Sequence, residues 1–91
     1  MEIKDKYLKL KELLDENKKW PMRYMFKFIV PNNDGKVDTI KSLMPKHGKL
    51  NFKHTNNLKY VSITCVASMK SANAIIELTQ MAEDIEGVIS L

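Results

Sequence analysis

Cysteine is nearly missing from this sequence: Cys65 stands alone, so no disulfide can staple the chain from within and no thiolate pair is offered to a metal. A secreted domain of this size usually carries several cysteines, so the expected compartment is a reducing one, the cytosol. Glycine and proline are scarce as well, three of each. The sequence shows neither a glycine-rich phosphate cradle nor a Gly-x-Ser-x-Gly elbow. Its apolar stretches fall far short of the roughly 20 residues that cross a bilayer. The charged opening, Met1-Glu2-Ile3-Lys4-Asp5, has no likeness to a signal peptide, so no membrane association is expected. The two histidines, His47 and His54, lie in separate segments without acidic neighbours, whereas zinc asks for three or four ligands. General acid–base work needs paired groups in a cleft, and no pair is visible. The expectation is a non-enzymatic protein without metal or cofactor.

What remains is an ordinary globular composition, 44% hydrophobic and 29% charged, in 91 residues, enough for one domain. The net charge of +4 is spread along the chain and permits only weak attraction to anions, so nucleic acid is not the expected partner.

Residues 3–16 show Ile3, Tyr7, Leu10 and Leu14 on one helical stripe. Trp20 and Pro21 break the pattern. Residues 22–30 then alternate, with Met22, Tyr24, Phe26, Phe28 and Val30 on the side expected to face a core. After a loop, Val37, Ile40, Leu43 and Met44 recur at helical spacing until Pro45 and Gly48 end the helix. Residues 50–55 and 58–67 read as a hairpin around Asn56 and Asn57, which suit a two-residue turn. Pairing Thr55 with Leu58 would set Phe52 against Val61 and Leu50 against Ile63, apolar on apolar. Ser68 or Ser71 can cap a last helix carrying Ile75, Leu78, Ala82 and Ile85 on one stripe. Gly87 sits where a left-handed C-cap belongs, and residues 88–91 make a final strand.

The order after residue 18 is β-α-β-β-α-β. Right-handed crossovers put both helices on one face of an antiparallel sheet with strand order 4-1-3-2, the ferredoxin-like α+β arrangement. The division is thus a helix in residues 1–18 and a single domain in residues 19–91. The first helix is free to cover the open sheet face or to join a partner. The expected core is Phe26, Phe28, Phe52, Val61, Ile63 and Ile75. Cys65 shares the parity of Val61 and Ile63 and reads as a small buried hydrophobe without a basic neighbour to activate it. Glu77, Glu83, Asp84 and Glu86 read as a solvated helix face.

Two regions carry a functional reading. The first is the uncovered sheet face of Met25, Lys27, Ile29, Lys53, Tyr60, Ser62 and Thr64, with Asn51 and Val66 between them. RNA-binding versions of the fold stack bases on aromatics there, and only Tyr60 is placed for it. The second is the loop Asn32, Asn33, Asp34 and Gly35, where donors at a helix start favour an anion and Asp34 could meet an amine.

Three stretches resemble one family. They are the Pro-x-x-Tyr-x-Phe-Lys run of Pro21, Tyr24, Phe26 and Lys27; the Lys-Tyr-x-Ser-Ile-Thr strand of Lys59, Tyr60, Ser62, Ile63 and Thr64; and the closing Ile-x-Gly-Val-Ile-Ser-Leu of Ile85, Gly87, Val88, Ile89, Ser90 and Leu91. Over roughly residues 19–91 the chain is similar to the YbeD-like family of small uncharacterised bacterial proteins. Where that family usually has a glycine before the Lys-Tyr pair, this chain has Leu58, which leaves the turn to Asn56 and Asn57. The resemblance implies an ACT-like, ferredoxin-like fold and a regulatory or adaptor role with no established enzyme activity. Three expectations follow: a regulatory or protein-interaction module that forms a homodimer or another homo-oligomer; an amino-acid sensor of the ACT type on the loop at Asp34; and, behind both, single-stranded nucleic-acid binding through Lys27, Lys53 and Tyr60.

Overall fold

The computed structural model describes residues 3–55 and 57–91. A short 3-10 turn, Asp5–Tyr7, leads into helix α1 (Leu8–Asp15), and β1 (Met22–Pro31), α2 (Lys36–Leu43), β2 (Lys49–His54), β3 (Tyr60–Met69), α3 (Ala72–Glu83) and β4 (Ile89–Ser90) follow. The strands form one antiparallel sheet in the order β2-β3-β1-β4, the ferredoxin-like order expected from the sequence. No helix among the described residues is long and apolar enough to cross a membrane.

The centre of the sheet obeys the alternation. Phe26, Phe28 and Val30 of β1 and Val61, Ile63, Cys65, Ala67 and Met69 of β3 are buried against the helices. The ring of Tyr24 meets Phe26 edge-on at 4.9 Å between centroids, and Phe26 stacks with Phe28 at 6.3 Å. On α2, Ile40 is fully buried; the helix stops at Leu43 because Met44, extended before Pro45, cannot stay helical. Of the two serines offered as caps, Ser71 is the one used, its hydroxyl accepting from the Ala74 N–H at 3.1 Å. Burial on α3 is broader than one stripe: Ile76, Thr79 and Gln80 are covered along with Ile75 and Ala82, because α1 lies beside the helix as well as the sheet beneath it. Helix α3 ends at Glu83 with Asp84 as a right-handed cap, so Gly87 is not its C-cap. Gly87, at φ 84°, instead turns the chain into β4, and a Cβ there would sit 2.7 Å from Pro31 Cγ.

Helix α1 is shorter than residues 3–16, since Ile3 and Lys4 precede the first turn and Lys4 is extended. Its stripe still faces inward, with Tyr7 and Leu14 buried and Ile3 and Leu10 packed on the core. It docks on α3 and leaves the open sheet face bare. The Lys4 N–H donates to Gln80 Oε1 at 2.8 Å, the Lys4 ammonium pairs with Asp84 at 2.9 Å, and the Tyr7 hydroxyl donates to Glu83. Burial first, and then the Glu83 carboxylate, push the Tyr7 hydroxyl above the ordinary tyrosine range.

The hairpin differs from the sequence reading by two residues. Phe52 pairs with Ile63 and Leu50 with Cys65, not with Val61 and Ile63. A shift of two preserves the side-chain faces, and both registers set apolar against apolar, so periodicity could not separate them. The connection is correspondingly longer. The Thr55 N–H donates to the Tyr60 carbonyl and the Leu58 N–H to the Thr55 carbonyl, each at 3.0 Å, while Asn57 Oδ1 accepts from the Lys59 N–H at 3.1 Å. Asn56, half of the expected two-residue turn, lies outside the described residues. Leu58 takes the left-handed conformation, φ 60°, that glycine would take without strain. Leu58→Gly should therefore raise stability by about 0.5–1 kcal/mol, because the left-handed cost exceeds the small packing loss of a side chain that is 62% exposed. A higher urea midpoint at unchanged slope is the expected reading; a lower midpoint would mean that the leucine side chain contributes more than its backbone strain costs.

Phe52 is also a correction. It points to the helical side as expected but is 38% exposed, and Leu50 beside it 39%, so neither belongs to the core. Helix α2 packs on β1 and α3, and β2 projects past its cover. The Lys41 ammonium lies 4.9 Å over the Phe52 ring instead.

Candidate functional site

The strand registers lay the open face out in rows. Lys49, Val66 and Met25 stand side by side across β2, β3 and β1; Asn51, Thr64 and Lys27 form the next row; Lys53, Ser62, Ile29 and Ile89 the third, continuing onto β4; Tyr60 and Pro31 lie beyond them. Neighbours in a row are separated by about 5 Å. The residues singled out from the sequence (Met25, Lys27, Ile29, Lys53, Tyr60, Ser62 and Thr64) thus share one surface. Met25 is 60% exposed, Lys27, Lys53 and Tyr60 are exposed, and Ile29, Ser62 and Thr64 are half-buried.

Arg23, Lys49 and Ile89 also belong to this face, and the sequence reading passed over them. Arg23 and Lys49 lie one step further along the same alternation, which was the signal that could have found them. Ile89 needed the β1–β4 register, which only the fold supplies. With Val66, Ala67, Ser68 and His47, Arg23 and Lys49 line a cleft of about 260 Å³ at one end of the face.

Charge is segregated by element. The strands hold Arg23, Lys27, Lys49 and Lys53 on this face, and among the described residues no aspartate or glutamate lies in any strand. At the C-terminal end of α3, in the helical layer, Lys4 pairs with Asp84 at 2.9 Å and Lys6 approaches Glu83 at 3.8 Å. None of the four face cations has an ion-pair partner among the described residues. The result is a surface of unspent positive charge around Met25, Ile29, Val66 and Ile89.

The loop of Asn32, Asn33, Asp34 and Gly35 opens a cleft of about 280 Å³ that runs on to Asp38. Its polar groups are largely engaged in the fold. The Asn32 N–H donates to the Lys59 carbonyl at 2.8 Å and its side-chain amide to the Leu58 carbonyl at 3.0 Å, which ties the loop to the hairpin. Asp34 and Gly35 follow one another at φ 53° and 70°, and the Lys36 N–H closes the turn onto the Asn33 carbonyl. Asp34 and Asp38 already set negative charge at the start of α2, which opposes a further anion there. Cys65 is wholly buried, and burial pushes its thiol pKa up, which disfavours the nucleophilic thiolate. His47 Nε2 lies 3.0 Å from the Ser68 carbonyl, and His54 is exposed on β2. No group of three or more His, Cys, Asp or Glu side chains able to hold a metal occurs among the described residues.

No curated protein and no solved structure matches the chain. A family model described as "Protein of unknown function (DUF493)" matches residues 15–91, the span that holds the whole sheet, α2 and α3. The chain therefore belongs to the DUF493 family, the YbeD-like family that its strand motifs resemble.

Proposed function

We propose that this chain is a non-enzymatic protein-interaction module that binds an acidic surface of another protein on its open sheet face, with regulation of that partner as the outcome. The observation that supports the reading is the set of four unpaired cations, Arg23, Lys27, Lys49 and Lys53, on a face without acidic residues and with exposed Met25 and Ile89 among them. An apolar centre bordered by one sign of charge is the pattern of a protein interface. Nucleic acid fits less well, since Tyr60 is the one exposed aromatic of the face and hydroxyl side chains stand where stacking platforms would be wanted. Two copies joined through this face would set four cations against four, so a homodimer has to be built from another surface.

The test is a charge reversal. Lys27→Glu combined with Lys53→Glu alters two exposed side chains and should leave the unfolding midpoint nearly unchanged. In pull-downs from the native cell, the wild-type chain should retain a partner that the double variant loses. Affinity should fall roughly tenfold or more, and the capture should be salt-sensitive and indifferent to nuclease. Equal capture by both baits, or capture abolished by nuclease, would refute the proposal.

A further inference from the structure

Strand β2 ends the sheet, and all six of its residues from Lys49 to His54 are exposed. Its hydrogen-bonding groups alternate in direction. The Thr55 N–H bonds to the Tyr60 carbonyl. Carried along the register, this turns the backbone of Lys49, Asn51 and Lys53 toward β3 and that of Leu50, Phe52 and His54 outward. Edges are protected against pairing by shortness, bulges, proline or charged side chains, lysine above all; Lys49 and Lys53 on β2 repel a basic strand and leave the edge open to an acidic one. This edge runs for six residues, and its inward-facing Leu50 and Phe52 are 39% and 38% exposed.

We infer that an acidic, extended segment of the partner protein adds to β2 as a fifth strand; this rests on the reading of the chain as an interaction module for an acidic protein. The two sides of β2 define the occupant. On the helical side, apolar side chains would cover Leu50 and Phe52, extending a surface that Lys41 now shields in part. On the open side, carboxylates four residues apart would lie beside Lys49 and Lys53. The matching sequence alternates acidic and apolar residues, and its main chain meets the outward N–H and C=O groups. A second copy of this chain would bring Lys49 and Lys53 against their own equivalents. A nucleic-acid backbone has no row of donors for the outward carbonyls of Leu50, Phe52 and His54.

The experiment uses the full chain, isotopically labelled for amide NMR, titrated with a capped octapeptide of alternating Glu and Val. A Lys–Val octapeptide and an oligouridylate serve as comparisons. The Glu–Val peptide should shift and protect the amides of Leu50, Phe52 and His54, and the Lys–Val peptide should not. Phe52→Pro removes one outward donor and no bond to β3, so it should weaken binding about tenfold more than Phe52→Ala. Where Phe52→Pro does not fold, His54→Pro removes a neighbouring outward donor at the strand's end and should weaken binding to the same degree. Equal binding of the Lys–Val peptide, shifts at β2 with the oligouridylate, or no response to millimolar Glu–Val peptide would overturn the added strand. Shifts confined to Met25, Lys27 and Ile29, with the proline variants binding like wild type, would also overturn it and leave the sheet-face reading standing.

Discussion

Phe28→Ala should cost about 3–5 kcal/mol of unfolding free energy, whereas Phe52→Ala should cost about 1 kcal/mol. Both phenylalanines sit on strands and point to the helical side of the sheet. Phe28 lies on β1, between β3 and β4, and is 0% exposed; it stacks on Phe26, and the fully buried Ile63 is its partner across the strand. Truncation there removes the transfer gain of the ring and leaves a cavity that strands on both sides hold open. Phe52 lies on the outermost strand with over a third of its surface in water, so its loss opens no enclosed space. Against a total of about 5–15 kcal/mol for a small domain, the first change takes much of the reserve and the second little. Urea unfolding of both variants checks this. Similar losses would mean that β2 is covered on its helical side, which would remove the surface on which the added strand depends.

The contrast also marks what the sequence could convey. Periodicity of two and of 3.6 carried the element order and, with the handedness of crossovers, the strand order; it also carried the faces of β1, β2 and β3, because a side chain's face depends only on parity. It could not say how far the helical layer extends, and that decides whether Phe52 is interior or rim. Nor could it choose between hairpin registers two residues apart, since Phe52 meets an apolar partner in either; backbone bonds at Thr55 and a left-handed Leu58 settled the longer loop. The basic face was legible in part. Lys27 and Lys53 stood out; Arg23 and Lys49 lie one step further along the same alternation, and the strand registers put all four on one surface. The helix of residues 3–16 announced an apolar stripe without its destination. Docking on α3 depends on long-range bonds from Lys4 and Tyr7 to Gln80 and Glu83, which no local pattern encodes.

That docking bears on the proposed function through charge. Lys4 and Lys6 of the N-terminal segment neutralise Asp84 and Glu83 at the end of α3, so these two carboxylates are occupied on the helical side of the molecule. The face cations keep no such company among the described residues, and the strands that carry them hold no carboxylate.

Gly48→Ala should destabilise the protein by about 2–3 kcal/mol, although from sequence alone this glycine is only a helix stop. Gly48 is not in the left-handed region, so the cost arises from space and not from backbone conformation. A Cβ at this position would meet Cys65 Sγ at 2.6 Å, with Ala67 Cβ and the Pro45 carbonyl oxygen each at 3.2 Å. Cys65 is wholly buried in the middle of β3, bonded into strands on both sides, and cannot step away. The cysteine and the glycine are therefore two halves of one contact, which gives Cys65 a packing role in place of a chemical one. Cys65→Ala alone should cost about 1–2 kcal/mol for the lost sulfur. In the double variant the new methyl enters the space the sulfur vacates, so the combined loss should fall short of the sum by about 1 kcal/mol or more. Denaturant unfolding of the four proteins in this cycle measures the coupling. Strict additivity would show that Gly48 is required for its backbone and not for the room it leaves to the sulfur.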